Sequence, residues 1–285
     1  MLSGGMQQTV VSTKWGSFLV RADERTTAAS AILAAISAHD AVEVGTRCLK
    51  SRPTTKVTHV DGPATGPWPQ EIVVKEVRAP LRRRVGHALG ARSRFAGDFA
   101  IHGELTARAI RAPELLAASQ RPRGGREYQI TSYLRDCPTL RAALWLPETA
   151  ITQAPQREAA ITALGQWVRA VHDAGVWQRD LKLNNVLVGD FAQAEFYLLD
   201  FSDVRFFTSG LSKEKRVRNL GQVLDVPTGL EEEFTSTFLP AYCGSDYDES
   251  ALREPVAAAV EARREHRLQK DGFRYVDEPI ATFEP

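Results

Sequence analysis

The segment Trp177–Asp190, "WQRDLKLNNVLVGD", constrains the fold of this chain more than any other part of the sequence. It follows a segment whose apolar residues repeat at helical spacing, and Gly175 stands where that helix would end. Asp180 and Asn185 are five residues apart, and Asp200 follows in "LLDF" after two strand-like segments. Carboxylate and amide oxygens suit a Mg²⁺ ion that also binds phosphate. The pattern therefore predicts a metal site on two loops.

A lysine upstream adds to this set. Lys75 lies in "EIVVKEV", a segment whose composition predicts a short strand. Phosphoryl transfer depends mainly on positioning and on offsetting negative charge, and a strand lysine can hold phosphates. The alternative is a surface lysine on an edge strand, where charged side chains discourage pairing with other chains.

These motifs resemble the protein-kinase-like superfamily, and more closely the lipopolysaccharide core kinases of the Kdo/WaaP family. The resemblance extends from about residue 46 to residue 242. It is carried by "VVKEVRAPLRRR", "GARSR", "AIRAPELLA", "REYQITSYL", "RDLKLNNVLV", "LLDFSDVRF", "RVRNLGQVL" and "FLPAY". The catalytic-loop match is specific, and the flanking matches are looser but occur in the order typical of the family.

The resemblance implies a role for each residue of the set and implies ATP and Mg²⁺ as cofactors. Asp180 would orient and deprotonate a sugar hydroxyl, and Lys182 would contact the γ-phosphate. Asn185 and Asp200 would hold Mg²⁺. Lys75 would hold the α- and β-phosphates of ATP.

Two further residues are assigned to the nucleotide. Lys50, in the first strand region, would cover the nucleotide where other kinases use glycine amides. Glu104, in a following helix, would pair with Lys75. Asp98 and Glu114 lie nearby in the sequence, so the pairing acid stays open, and a surface glutamate is an equal alternative.

The order of elements predicts an α+β fold of two lobes, a small β-rich N-terminal lobe and a larger helical C-terminal lobe. Residues 1–44 would form an N-terminal extension with a helix from about Asp23 to His39. Residues 45–134 would form the nucleotide-binding lobe. Residues 135–285 would form the catalytic and acceptor-binding lobe.

Three departures from the family pattern favour an alternative class, a pseudokinase that binds a partner or nucleotide without chemistry. Gln178 replaces the usual histidine, and Ser202 replaces the glycine of the metal motif. There is no G-x-G-x-x-G anywhere in the chain. The presence of every polar residue that the chemistry requires favours an active enzyme, and glutamine can donate and accept hydrogen bonds as histidine does.

The segment after Asp200 bears on the acceptor. It is short and has no A-P-E-like motif, so a peptide-docking segment is not expected. This favours a small-molecule or glycolipid acceptor over a docked peptide. A sugar of lipopolysaccharide core is the acceptor that the family resemblance implies, and an aminoglycoside-like molecule or a protein stays an open alternative. A basic cluster follows, and it would either face an anionic acceptor or form a solvated helix start; its members are Lys213, Lys215, Arg216 and Arg218.

Charge and cysteine content bear on partners and location. The net charge is +1, which gives no reason to expect nucleic acid binding. Residues 78–94 contain no acidic residue, so this segment would face anionic lipid, a phosphorylated substrate or nucleic acid, or else form a solvated basic face or loop. Arg82, Arg83 and Arg84 are the residues that would contact a membrane surface. Three scattered cysteines and the absence of a signal-peptide pattern predict a cytoplasmic protein, peripheral on the inner face of the membrane in one reading.

Overall fold

The structure is a computed structural model, and it describes residues 8–21, 25–42, 47–62, 68–145, 154–226 and 230–271. The chain divides into two compact units. The first comprises Met1–Glu104 with Pro113–Arg135, and the second comprises Leu105–Ala112 with Asp136–Pro285.

Unit 1 is built on a seven-stranded sheet in which neighbouring strands are antiparallel, in the order β1-β2-β6-β7-β5-β4-β3. The strands are β1 (Gln8–Thr13), β2 (Gly16–Arg21), β3 (Cys48–Arg52), β4 (Thr55–Asp61), β5 (Glu71–Arg78), β6 (Leu115–Pro122) and β7 (Arg126–Ser132). Three helices accompany them: α1 (Arg25–Ala41), α2 (Leu81–Ala88) and α3 (Asp98–Ala107). The last residues of α3 are counted with unit 2.

The two faces of this sheet differ in chemistry. Ile72 and Val74 of β5 belong to one buried apolar cluster with Ile32 and Ile36 of α1. Since alternate residues of a strand point to opposite faces, Lys75 points away from that cluster. The sheet therefore has an apolar face covered by α1 and a second face that carries the lysine.

A charged cluster fastens α1 to the sheet. Arg126 on β7 forms ion pairs with both Asp40 of α1 and Glu76 of β5. His39 Nδ1 lies 2.7 Å from Thr58 Oγ1 on β4. Because an arginine already neutralises both carboxylates, we regard this cluster as a structural ion-pair network.

Several predicted elements of unit 1 are confirmed, among them β5, β7, the β3–β4 hairpin and the helix now called α1. The prediction for the first 44 residues was incomplete, since it contained only a helix and missed β1 and β2. Strand β6 was also missed, because its segment "LLAASQRP" is almost fully buried and shows no alternation of apolar and polar residues. The edge-strand alternative for Lys75 was wrong, since β5 lies between β7 and β4.

Unit 2 is mainly helical, with two small two-stranded sheets. Its helices are α4 (Leu140–Trp145), α5 (Ala154–Asp173), α6 (Lys213–Val223), α7 (Glu231–Cys243) and α8 (Ser250–Asp271). Its strands are β8 (Val176–Gln178), β9 (Val186–Asp190), β10 (Glu195–Leu198) and β11 (Val204–Phe206). Gly175 follows α5 with φ of 71°, the left-handed conformation in which glycine commonly ends a helix.

The fold class is α+β, as predicted, with a β-rich first unit and a mainly helical second unit. Within the residues that the structure describes, no helix combines the length and the apolar character needed to cross a bilayer.

Candidate active site

The loop between β8 and β9 brings together three of the predicted site residues. Lys182 Nζ donates to Asp180 Oδ2 at 2.6 Å. Asn185 Nδ2 donates to the backbone oxygen of Asp180 at 2.8 Å and lies 3.3 Å from Asp180 Oδ2. Asp180 remains substantially exposed, with 44% of its side chain accessible to solvent. The loop therefore places the Asp180 carboxylate within hydrogen-bonding distance of both an ammonium group and an amide.

The backbone links this loop to the second aspartate. Leu199 N donates to Asn185 O at 2.8 Å, and Asp200 is the next residue. Asp200 has φ 54° and ψ 43°, a left-handed conformation that is uncommon for a residue with a side chain. Such backbone conformations cluster at functional sites, where the surrounding structure enforces them.

Ser202 does not occupy that strained position. It lies in the 3-10 turn Phe201–Asp203, and the residue that takes the left-handed conformation is Asp200. The turn therefore does not need a glycine at position 202.

Gln178 holds the Asp200 loop through its side chain. Its Nε2 donates to Leu199 O at 3.2 Å and to Asp200 O at 2.8 Å. The residue is 1% exposed, and its Oε1 has no hydrogen-bond partner among the described residues. Gln178 thus contacts backbone carbonyls rather than Asp180, which fits a bracing residue.

Side chains of helix α6 form hydrogen bonds with the backbone of the catalytic loop, a contribution that the sequence analysis missed. Gln222 Oε1 accepts from Leu181 N at 2.8 Å, and Gln222 Nε2 donates to Arg179 O at 2.8 Å. Asn219 Nδ2 donates to Gln178 O at 2.8 Å and to Gln222 Oε1 at 3.0 Å. The available signal was two amides three residues apart in "NLGQ", a spacing that places both on one helix face.

The bracing network continues into α5 and α7. His172 Nε2 lies 3.3 Å from Asn219 Oδ1, and His172 Nδ1 lies 2.9 Å from the Tyr242 hydroxyl. Because Asn219 donates through its Nδ2, we assign its Oδ1 as the acceptor and His172 as the Nε2–H tautomer. Burial, followed by the charge of Arg216, lowers the pKa of His172 to about 3. Burial raises the pKa of Tyr242 to about 12.

Arg216 belongs to this network and not to a surface cluster. It is 6% exposed and donates to Leu211 O at 2.9 Å, to Tyr242 Oη at 3.1 Å and to Asp173 Oδ1 at 2.7 Å. Neither sequence-based interpretation of this residue, an acceptor contact or a solvated helix start, agrees with that burial. Its neighbour Lys215 lies over the Phe207 ring, with Nζ 4.7 Å from the ring centroid.

Helix α8 reaches the catalytic loop, which the sequence analysis also missed. Arg263 lies 3.8 Å from Asp180 Oδ1 and donates to Asp225 Oδ2 at 3.0 Å. Arg264 and Arg267 contact the same Asp225 carboxylate, which is almost fully buried. The buried Asp225 thereby fixes the part of α8 that brings Arg263 near Asp180.

The lysines of unit 1 lie in one row across its sheet. Lys50 pairs with Val57, Val57 pairs with Lys75, and Lys75 pairs with Gln129. Residues directly opposite in neighbouring strands share a face, so Lys50 and Lys75 point to the same side, two strand spacings or about 10 Å apart. That side is the one not covered by α1.

Asp98, one of the three acidic residues considered for Lys75, lies beside this row. It is fully buried at the start of α3 and accepts a hydrogen bond from Gln129, the cross-strand neighbour of Lys75. Lys75 Nζ lies 5.8 Å from the ring centroid of Phe95, three residues before Asp98. Glu114 instead pairs with Arg21. Glu104 is half-buried, two turns further along α3.

Residues 72–236, more than half of the chain, match the model of the lipopolysaccharide kinase (Kdo/WaaP) family. The chain belongs to this family. The protein is therefore a kinase, and the family resemblance seen in its motifs is confirmed. The matched range includes the lysine strand and both loops of this kinase, whereas Lys50 and Arg263 lie outside it.

One of two solved structures similar to this chain supports the fold. A structure of WaaP in complex with acyl carrier protein is 15% identical to this kinase, with a TM-score of 0.50 over 82% of this chain and 92% of that chain. A Neurospora crassa PAN3 pseudokinase structure covers 85% of this chain and 71% of that chain at 10% identity, with a TM-score of 0.39. The WaaP likeness shows a kinase-like fold. No curated protein matches the sequence.

Proposed function

We propose that this kinase uses ATP and Mg²⁺ to phosphorylate a sugar hydroxyl of lipopolysaccharide core or of a related glycolipid. The observation that carries the proposal is the hydrogen-bonded set of Asp180, Lys182 and Asn185, joined through the backbone to Asp200. Membership of the lipopolysaccharide kinase family supports the class of acceptor.

In the proposed reaction the acceptor oxygen attacks the γ-phosphorus of ATP. A bond forms between that oxygen and phosphorus, the bond from phosphorus to the β–γ bridging oxygen breaks, and ADP leaves. The proton of the hydroxyl passes to Asp180, whose exposed carboxylate can receive it. Lys182, which neutralises Asp180 in this structure, would offset charge on the transferred phosphoryl group.

The donor set fits a magnesium ion. Asn185 turns its Nδ2 toward Asp180, and this leaves its Oδ1 as the oxygen for an ion. Asp200 adds a carboxylate, and Mg²⁺ is commonly bound through one or two such oxygens together with substrate phosphates. When bound, the ion would neutralise phosphate charge. Gln178 would keep the Asp200 loop in place through its two bonds to backbone carbonyls.

We propose that Lys75 binds the phosphates of ATP. Lys50, at the outer end of the same row of the sheet, would cover the nucleotide. We further propose Asp98, rather than Glu104, as the acid that positions Lys75, because Asp98 accepts from Gln129 beside that lysine. A buried carboxylate needs partners of this kind, since burial without them is unfavourable. Arg263 is proposed as a positioning residue that holds the second oxygen of Asp180.

The test is a phosphorylation screen with purified protein, ATP and Mg²⁺. The acceptors are core oligosaccharide, simple sugars, an aminoglycoside and a protein mixture, and mass spectrometry detects a gain of phosphate. Asp180→Asn should abolish transfer, because asparagine cannot accept the hydroxyl proton. The matched control is Asp190→Asn, which keeps an oxygen for the Ala192 amide in the β9–β10 turn and should remain active.

Two results would count against the proposal. Transfer to a protein or an aminoglycoside, with none to sugars, would refute the proposed acceptor, whereas the proposed phosphoryl transfer from ATP would stand. Stabilisation by Mg-ATP with no turnover on any acceptor, and with Asp180→Asn identical to the native protein, would favour the pseudokinase alternative.

A further inference from the structure

Helix α2 has its polar and apolar faces reversed relative to an ordinary surface helix. At about 100° per residue, Leu81, Val85 and Leu89 fall on one stripe, with Leu89 immediately after the helix. His87 falls on the opposite side and is the buried residue of this helix. The stripe is exposed, at 77% for Leu81, 55% for Val85 and 83% for Leu89. An amphipathic helix normally buries such a stripe against the core.

A buried glutamate lies against one face of α2, where Arg83 and Ser93 make close polar contacts with it and His87 packs nearby. His87 Nε2 lies 3.6 Å from Glu127 Oε1 on β7, and Arg83 lies 3.2 Å from the same oxygen. Ser93, just after the helix, donates to Glu127 Oε2 at 2.7 Å. Since Glu127 is fully buried, these contacts direct one face of the helix inward. The apolar stripe is left on the outside by the packing of the polar face.

The stripe is long enough to act as a single surface. Three aliphatic side chains one turn apart extend over about 12 Å. Val10 and Leu33 are also exposed, but each lies on a different element, β1 and α1. Isolated exposed aliphatic residues are normal on a protein surface, whereas a contiguous stripe indicates an interaction site.

The charge around the stripe is positive. Residues 78–94 contain no acidic residue. Arg82 flanks the stripe on the helix, and Arg92 follows it; both are exposed. Arg83 and Arg84 differ in role from Arg82, because Arg83 pairs with Glu127 and Arg84 donates to Ala79 O at 3.1 Å. The basic triplet of the sequence therefore splits into one flanking arginine and two that anchor the helix.

We propose that α2 is a membrane-docking element that inserts Leu81, Val85 and Leu89 into the surface of an anionic bilayer. An apolar face with basic flanks, lying in the interface, is the pattern of helices that bind membranes from one side. Arg82 and Arg92 would contact anionic headgroups. The occupant is a bilayer, because exposed aliphatic side chains on one stripe can insert among lipid chains while the exposed arginines beside them complement anionic headgroups.

The experiment is vesicle co-sedimentation of the full chain without ATP, so its outcome does not depend on the proposed function. One set of vesicles contains phosphatidylcholine with phosphatidylglycerol, and the other contains phosphatidylcholine alone. We expect binding to the anionic vesicles only. Replacing Leu81, Val85 and Leu89 by serine should lower the partition coefficient by more than about tenfold, since each aliphatic side chain loses its burial in lipid.

One further variant tests the contribution of charge to vesicle binding, and a second serves as a control for unrelated surface changes. Arg82→Gln should weaken binding about fivefold, the effect of one basic residue near an anionic surface. Val10→Ser, an exposed aliphatic change on β1, should bind as the native protein does, and circular dichroism should show that every variant is folded. The proposal would be overturned if the native protein did not bind the anionic vesicles, even if it bound an acidic protein instead. Equal binding by the triple-serine variant would also overturn it.

Discussion

Replacing Gln222 by alanine tests whether α6 holds the catalytic loop in its working geometry. The change removes three hydrogen bonds, from Leu181 N, from Asn219 Nδ2 and to Arg179 O. Leu181 is fully buried, so its N–H loses its partner at a cost of about 1–3 kcal/mol. The lost bond from Asn219 adds about 1 kcal/mol, whereas Arg179 is exposed and water can replace its partner. We expect a total destabilisation of about 2–4 kcal/mol.

The same change should reduce turnover more than nucleotide binding. Asp180 stands between Arg179 and Leu181, so loss of both backbone contacts releases the segment that carries the carboxylate. Misplacement of a catalytic group by about 1 Å costs roughly a hundredfold in rate, and we expect kcat to fall by about that factor while KM for ATP changes little. Gln222→Glu should be intermediate, because it keeps the acceptor for Leu181 N and loses the donor to Arg179 O.

Two measurements check this reasoning. Phosphate transfer is followed with the best acceptor from the screen, and hydrogen–deuterium exchange reports the Leu181 amide directly. The matched control is Gln166→Ala, the same change at an exposed position of α5 in the same unit. If Gln222→Ala matches that control in both turnover and exchange, the α6 contacts do not position the loop.

The remaining predictions concern the lysine partner, the Gln178 brace and the buried histidine. Asp98→Asn should reduce turnover more than Glu104→Gln in steady-state assays, and the reverse order would restore Glu104 as the partner of Lys75. Gln178→His should keep activity within the same order of magnitude, because an imidazole N–H can donate to the same backbone carbonyls; an inactive but folded variant would contradict this. His172 has a lowered pKa in the folded state, so the unfolded state binds the extra proton and stability falls as pH drops from about 6.5 toward about 3. Urea unfolding should show that His172→Gln loses up to about 1.4 kcal/mol per pH unit of this dependence, whereas the exposed change His266→Gln should not alter it.

The domain boundaries at residues 45 and 135 stay predictions, as do the roles of the site residues, which the proposed assays test. What the sequence established was local. The spacing of Asp180, Asn185 and Asp200, and the β-branched strand around Lys75, depend on residues close together in the chain. Local spacing and composition were therefore enough to place each of them on the correct loop or strand.

The contacts that hold those residues came from distant parts of the chain. Gln222 and Asn219 reach the loop from about 40 residues away, and their segment "RVRNLGQVL" does not by itself show what they contact. Strands β1 and β2 join the sheet next to β6, a pairing between segments about 100 residues apart. Hydrogen bonds between such segments depend on how the chain folds back, which one-dimensional periodicity does not encode.

Helix α2 shows the same division most clearly. The sequence by itself determined a basic segment without acidic residues, and it determined the spacing of Leu81, Val85 and Leu89. Only the tertiary structure decided which face is buried. Glu127, on strand β7, lies close to His87 and Arg83, so their face of the helix turns inward and the aliphatic stripe stays exposed. An amphipathic pattern specifies that two faces differ. The groups packed against the helix specify which of them meets solvent.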